Sequence, residues 1–319
     1  MNKKPSDEQW LLNPKGIRSI TVKDDILVSG SEAGEIMIWP WPLKPSSSRK
    51  QKVSFDFGRR TFGKPKQQKT VKCLVPQMRA SYIVTQNGEE FINAIDIAGD
   101  KIAVASGDYM ARIYNKSSNE LVADFWTMKP MHSVAISDKY CAYSSREGSG
   151  IVTLPTMEVI DESHDFYGKY YLRNLAIKNE WVIGGSYEGI TVFDIKSGEL
   201  VYNLTTGIEE SEQRSFVQKF SINGDYIVGN GTQNQIFIWD LNTGDQVTKF
   251  PGPPIHISSV IMGGDLVAAA NIDGKVFVWD LKTGEKIAEL ESTLGFCNDL
   301  LIHTGKLGLA SSILEIWNL

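Results

Sequence analysis

Apolar and polar residues alternate along most of this chain in short runs broken by Gly, Asn, Asp and Ser. That is the signature of strands with one buried face rather than of helices. The clearest runs share one shape: residues 275–290 read KVFVWDLKTGEKIAEL, 235–250 read QIFIWDLNTGDQVTKF, 190–204 read ITVFDIKSGELVYNL and 110–125 read MARIYNKSSNELVADF. Each is an alternating strand, a turn and a second alternating strand, so each predicts an antiparallel hairpin. Gly198, Gly244 and Gly284 occupy the turn position that needs a positive φ, and Asn119, the next most tolerant residue, replaces Gly in the fourth copy. Two shorter strands precede each hairpin, for example 257–262 and 266–270 before Lys275, and 172–177 and 181–185 before Gly189. The repeating unit is therefore a four-stranded sheet.

The third strand of each unit ends in a recognisable pair: Trp39-Pro40, Tyr114-Asn115, Leu154-Pro155, Phe193-Asp194, Trp239-Asp240, Trp279-Asp280 and Trp317-Asn318. After a first interval of 75 residues, the spacings are 40, 39, 46, 40 and 38. A sheet repeated at about 40 to 45 residues cannot hide its apolar faces alone and must stack on its neighbours. The long first interval predicts an insertion. The last unit stops after its third strand, and residues 7–12, DEQWLL, are placed to supply the missing outer strand, which closes the ring and removes its free edge.

The pairs Trp239-Asp240 and Trp279-Asp280 make the chain resemble the WD-repeat family. The resemblance implies an all-β fold class: one seven-bladed β-propeller of four-stranded antiparallel blades over residues 1–319, closed by N-terminal strand pairing with the last blade. The family's usual hydrogen-bonded set of His, Ser or Thr, Asp and Trp is incomplete here. Asp273 and Trp279 hold two of its positions in one blade, Ser106 and Asp108 two in another, and Pro253 or Gly88 stands where the His would be. Packed Val, Ile, Leu and aromatic faces are expected to carry the load instead.

In such a ring the loop after each outer strand and the turn joining the second strand to the third open on one face, the top. The second residue of each inner strand points there: Arg18, Asn93, His132, Arg173, Gln218, Ser258 and Asn298, all polar. A channel rim is wet in any propeller, so polarity alone is an ordinary outcome. Arg18 and Arg173 add planar donors suited to a carboxylate or phosphate of a partner. The resemblance implies peptide binding on this face. A top loop over 161–171 adds Phe166, Tyr167 and Tyr170, aromatic groups of the kind that anchor interfaces.

Charge changes the picture in one place. The net charge of −5 is too small to argue for nucleic acid or membrane as the main partner. Residues 42–79, the insertion in the first blade, hold eleven Lys and Arg against the single acid Asp56, about +10 against about −15 on the rest of the chain. Arg49, Lys50, Lys52, Arg59, Arg60, Lys64 and Lys66 lead this segment. It follows a third strand and is expected to hang from the bottom face as an arm, with 53–57 and 70–75 able to form short strands. An acidic protein surface is the expected partner; nucleic acid or lipid headgroups are the weaker reading.

Catalytic chemistry is poorly supported. The chain lacks nucleophile-elbow, phosphate-loop and H-E-x-x-H patterns, and His132, His164, His256 and His303 have no ligand spacing, so neither catalysis nor a cofactor or metal is expected. Cys73, Cys141 and Cys297 are far apart, the start is polar, and no run of 18 apolar residues occurs, which predicts a reducing intracellular location, cytoplasmic or nuclear, and no membrane span. Two functions remain: a non-catalytic scaffold or adaptor that binds partner peptides on the top face, and a substrate-recognition subunit of a ubiquitin ligase. The second resembles F-box/WD-repeat receptors, but the ring starts near Asp7 with no F-box before it, so that role would need a separate linker protein.

Overall fold

The computed structural model describes residues 6–13, 15–46, 50–57, 67–74, 76, 81–84, 91–127, 129–146, 148–160, 172–186, 189–205, 219–231 and 234–319; of 55–57, 67, 68 and 81–84 it describes the backbone alone. Seven antiparallel sheets form a closed propeller. Their inner strands, which number the blades 1 to 7, are Ile17–Lys23, Ile92–Ala98, Met131–Ile136, Asn174–Lys178, Phe220–Asn223, Ile257–Gly263 and Asp299–His303. Six of the blades have four strands. Blade 3 has three, and of a fourth only the bridge from Val159 to Val152 falls among the described residues.

The second strand of each blade is covered on both faces, and its sequence shows it: Ala103, Val104 and Ala105 in blade 2 and Ala268, Ala269 and Ala270 in blade 6 are all buried, small enough for neighbouring sheets to approach closely. Apolar clusters fill each gap between blades. Val28, Ile36 and Ile38 of blade 1 meet Ile92, Ile95 and Val104 of blade 2, and the series runs round until Trp10, Leu301 and Ile316 of blade 7 meet Ile17, Leu27 and Trp39 of blade 1. The ring closes as the alternation predicts. Glu8–Trp10 pairs antiparallel with Leu314–Asn318, Glu8 opposite Ile316 and Trp10 opposite Leu314.

The aspartate after the anchor aromatic has a local cause. Asp194, Asp240 and Asp280 each accept backbone N–H bonds with Oδ1, at 2.8 to 2.9 Å, from the turn that follows, and Asn115 does the same with Ser117 and Ser118. Four residues after each Asp or Asn the chain needs a positive φ, which Gly198, Gly244, Gly284 and Asn119 adopt at 71°, 78°, 73° and 62°. Blade 3 corrects the reading of Leu154-Pro155. There the position that bonds across the turn is Thr153, to Glu158 O, so the anchor is Val152-Thr153, and Met157 takes the positive φ. Without Trp, Asp or Gly, that copy left its register open by two residues.

The incomplete family set is replaced differently in each blade. In blade 2, Arg112 of the third strand pairs with Asp108, Nη2 to Oδ2 2.6 Å, with side chains only 5% and 2% exposed. In blade 6, Asn271 accepts from the N–H groups of Asp273 and Lys275 and donates to Pro254 O.

The insertion leaves blade 1 after Glu35–Pro40 and returns at Ser81–Val84. Between them Gln51–Phe57 and Gln67–Cys73 pair as a separate two-stranded hairpin. It does not hang from the bottom face. Val71 and Cys73 are buried with Leu11, Leu294 and Ile313, and Leu74 exchanges backbone bonds with Gln9 and Leu11 at 2.7 and 2.9 Å. Leu294 lies in the loop after an outer strand and Ile313 in a turn between second and third strands, both on the top side of blade 7. The apolar side of an alternating hairpin must be buried, and these are the apolar residues it meets. Its other side stays in water: Lys50, Lys52, Ser54, Thr70 and Lys72 are exposed, with Lys52 directly opposite Lys72. Arg49, Arg59, Arg60, Lys64 and Lys66 lie outside the described residues.

Candidate functional site at the channel mouth

Each inner strand begins with an irregularity. In blades 1, 2, 3 and 6 the register slips by one residue, and the residues passed over are Arg18, Asn93, His132 and Ser258. A bulge of this kind turns its extra side chain away from the ladder. In blades 4 and 7 the equivalent residues, Arg173 and Asn298, donate their backbone N–H to Gly185 O and Ala310 O just before regular pairing begins. All six line one cavity of about 410 Å³ at the mouth of the channel. Gln218, the seventh ring position, and Phe166, Tyr167 and Tyr170 lie outside the described residues.

Sequence reasoning missed three lining residues: Arg146, Lys219 and Cys297. Arg146 stands in the turn between the second and third strands of blade 3, a turn that opens on the top face in every blade, so its position was legible. Lys219 and Cys297 sit beside ring positions at the starts of inner strands and carried no separate signal.

The rim is fastened before it binds anything. Arg18 Nε donates to Asn93 Oδ1 at 3.1 Å, and its guanidinium lies 4.2 Å from the centre of the Phe91 ring. Asn93 Nδ2 donates to Met131 O at 2.6 Å and Asn298 Nδ2 to Ile17 O at 2.7 Å, each stitching its blade to the next. Below, a second cavity of about 500 Å³ is walled by all the inner strands. There Asp96 accepts from Ile136 N at 2.8 Å and Asp299 from Ile20 N at 3.2 Å, so side chains satisfy inner-strand backbone groups across the blade boundaries. Lys219 lines both cavities and sits 3.8 Å from Asp299.

The mouth is electropositive. Arg18, Arg146, Arg173 and Lys219 face it and none of its lining residues is acidic. Burial lowers the Arg18 guanidinium from its ordinary value, with Glu32 acting the other way. His132 is lowered by burial first and then by Arg173, Arg146 and Arg18. The thiol of Cys297 is raised far above its ordinary value by burial and is no nucleophile. Among the described residues no group of three or more His, Cys, Asp or Glu is arranged to hold a metal ion, and no helix is long and apolar enough to cross a membrane.

No protein-family profile matches the chain. Over 179 residues, 56% of the chain, it is 25% identical to the F-box-like/WD repeat-containing protein TBL1X of Mus musculus and 24% identical to TBL1Y of Homo sapiens. The matched stretch spans 28% of the length of each of those proteins. Among solved structures, the computationally designed Ika8 protein superposes with a TM-score of 0.66 over 99% of this chain and 100% of that one, at 12% identity, a likeness of fold alone.

Proposed function

We infer that this chain, a seven-bladed propeller consistent with a divergent WD-repeat family, works as a non-catalytic scaffold whose top face binds partner peptides. Its WD-repeat relatives point to protein interaction in general; the finer reading rests on the mouth. The carrying observation is that six ring positions from six blades converge on one cavity with four fixed cations on its wall. Pinned guanidinium groups of this kind favour a partner with acidic or otherwise anionic side chains. The outer face of the hairpin supports a second contact with an acidic partner. Lys52 and Lys72 face each other directly, an arrangement that costs stability in isolation and is relieved by an external acid. Two modest contacts on one rigid body then combine through effective concentration. An intracellular setting, cytoplasmic or nuclear, accords with three buried free thiols.

Affinity capture from a reducing extract tests this with three baits: the wild-type chain, Arg18→Gln with Arg173→Gln, and Lys52→Glu with Lys72→Glu. Each pair of substitutions is expected to remove a distinct subset of partners while the melting temperature stays within a few degrees of wild type. An unchanged partner set in both would refute the site assignments. The likeness to F-box-like proteins favours one alternative, a substrate receptor of a ubiquitin ligase. Recovery of ligase core subunits together with ubiquitinated partners would establish it over a simple scaffold.

A further inference from the structure

We propose that the channel mouth is a site for a tetrahedral dianion of the phosphate-ester kind, taken up together with a solvent proton at His132. The proposal rests on the reading of the mouth as the partner-binding face and names the chemistry it selects. Four fixed cations share the wall of a cavity of about 410 Å³. The acids nearest to them act elsewhere: Glu32 offsets Arg18, and Asp299 approaches Lys219 from the channel side. A single carboxylate brings one negative charge and leaves most of this repulsion uncompensated. A phosphate monoester brings about −1.5 to −2 and three acceptor oxygens, which suits converging guanidinium forks.

His132 stands among these cations, half-buried, on the bulge that opens blade 3. The groups acting on it are Arg173, Arg146 and Arg18, and all three disfavour its charged form, as does burial, the largest cause. An anion seated between the arginines reverses their effect and offers the imidazolium an acceptor. Its pKa must then be higher in the bound state than in the free one. Binding therefore draws a proton from solvent, and affinity rises as pH falls between the bound and free values, by at most about tenfold per pH unit.

Sulfate is the probe, because it remains a dianion throughout this range. Calorimetric titration of the full chain is expected to show saturable binding that strengthens severalfold from about pH 7.5 to about pH 5.5. His132→Gln is expected to bind sulfate with little pH dependence. Arg146→Gln, a change in an exposed turn with little risk to folding, should weaken binding at both pH values. At about pH 7.5, a phosphoserine peptide that displaces sulfate better than glycerol phosphate places the ester on a protein, and equal displacement places it on a small molecule. Absence of saturable binding of sulfate and phosphate at both pH values, with melting unchanged, overturns the proposal. Equal affinity at both pH values in the wild type overturns the role of His132. Neither result touches the scaffold reading, which stands or falls on the captured partner set.

Discussion

Arg112 and Asp108 form an almost fully enclosed ion pair, and its energetics are asymmetric. Such a pair adds little over an apolar replacement of the same volume, yet losing one partner strands a charge in the core. Arg112→Met is expected to cost about 3–5 kcal/mol in denaturant unfolding. Adding Asp108→Ala should recover part of that loss, leaving the two substitutions strongly non-additive. Additive losses would show that the pair is not coupled. Of this device the sequence revealed half. Asp108 stood out as a remnant of the family's turn set, whereas Arg112 sits in an alternating strand where nothing marks a buried cation. The turn aspartates were fully legible, because an acid at the end of a strand and a residue tolerant of positive φ four places later have one local solution. The mouth residues were legible for a different reason: a fixed offset from each inner strand is a matter of counting. Blade 3 shows the limit, since Val152-Thr153 offers neither an aromatic nor an acid to count from.

At the scale of elements, the hairpin was foreseeable and its docking was not. Alternation over 53–57 and 70–75 announced two strands, but their partners Leu11, Leu294 and Ile313 are single apolar residues in three separate loops. No periodicity links them. Cys73 reports on this contact, since it is buried beneath the hairpin with its thiol pushed up to about 11 by burial first and by Glu315 second. Leu294→Ser should loosen the hairpin and return this thiol toward the ordinary range near about 8.5. Alkylation at mildly alkaline pH, followed by mass spectrometry, is then expected to modify Cys73 much faster than in the wild type. Cys141 and Cys297, buried within blades and raised further still, should stay protected until global unfolding. If Cys73 reacts at the wild-type rate in the variant, that apolar contact does not hold the hairpin.

For the whole molecule, stability depends on a circle in which every blade leans on two others, so the seam between last and first blades is the weakest point in topology and the most heavily fastened. Trp10 is buried in the cluster between blades 7 and 1, its Nε1 donating to Glu8 Oε2 at 2.7 Å, and Asn318 N donates to Asp7 Oδ2 at 2.7 Å. The hairpin adds a strap across the same seam through Leu74 and Gln9. Trp10→Ala removes the largest side chain of this joint and is expected to cost about 3–5 kcal/mol. Deleting residues 6–12 goes further, because the backbone of Leu314–Asn318 then loses its partner along one edge. An open edge of this kind recruits strands from other molecules. The truncated chain should therefore melt earlier and form concentration-dependent oligomers by light scattering, and a peptide of residues 6–12 added in excess should return it to a monomer. A truncated chain that stays monomeric with unaltered melting would mean that the circle is held by blade-to-blade packing alone and that the N-terminal strand is an ornament on it.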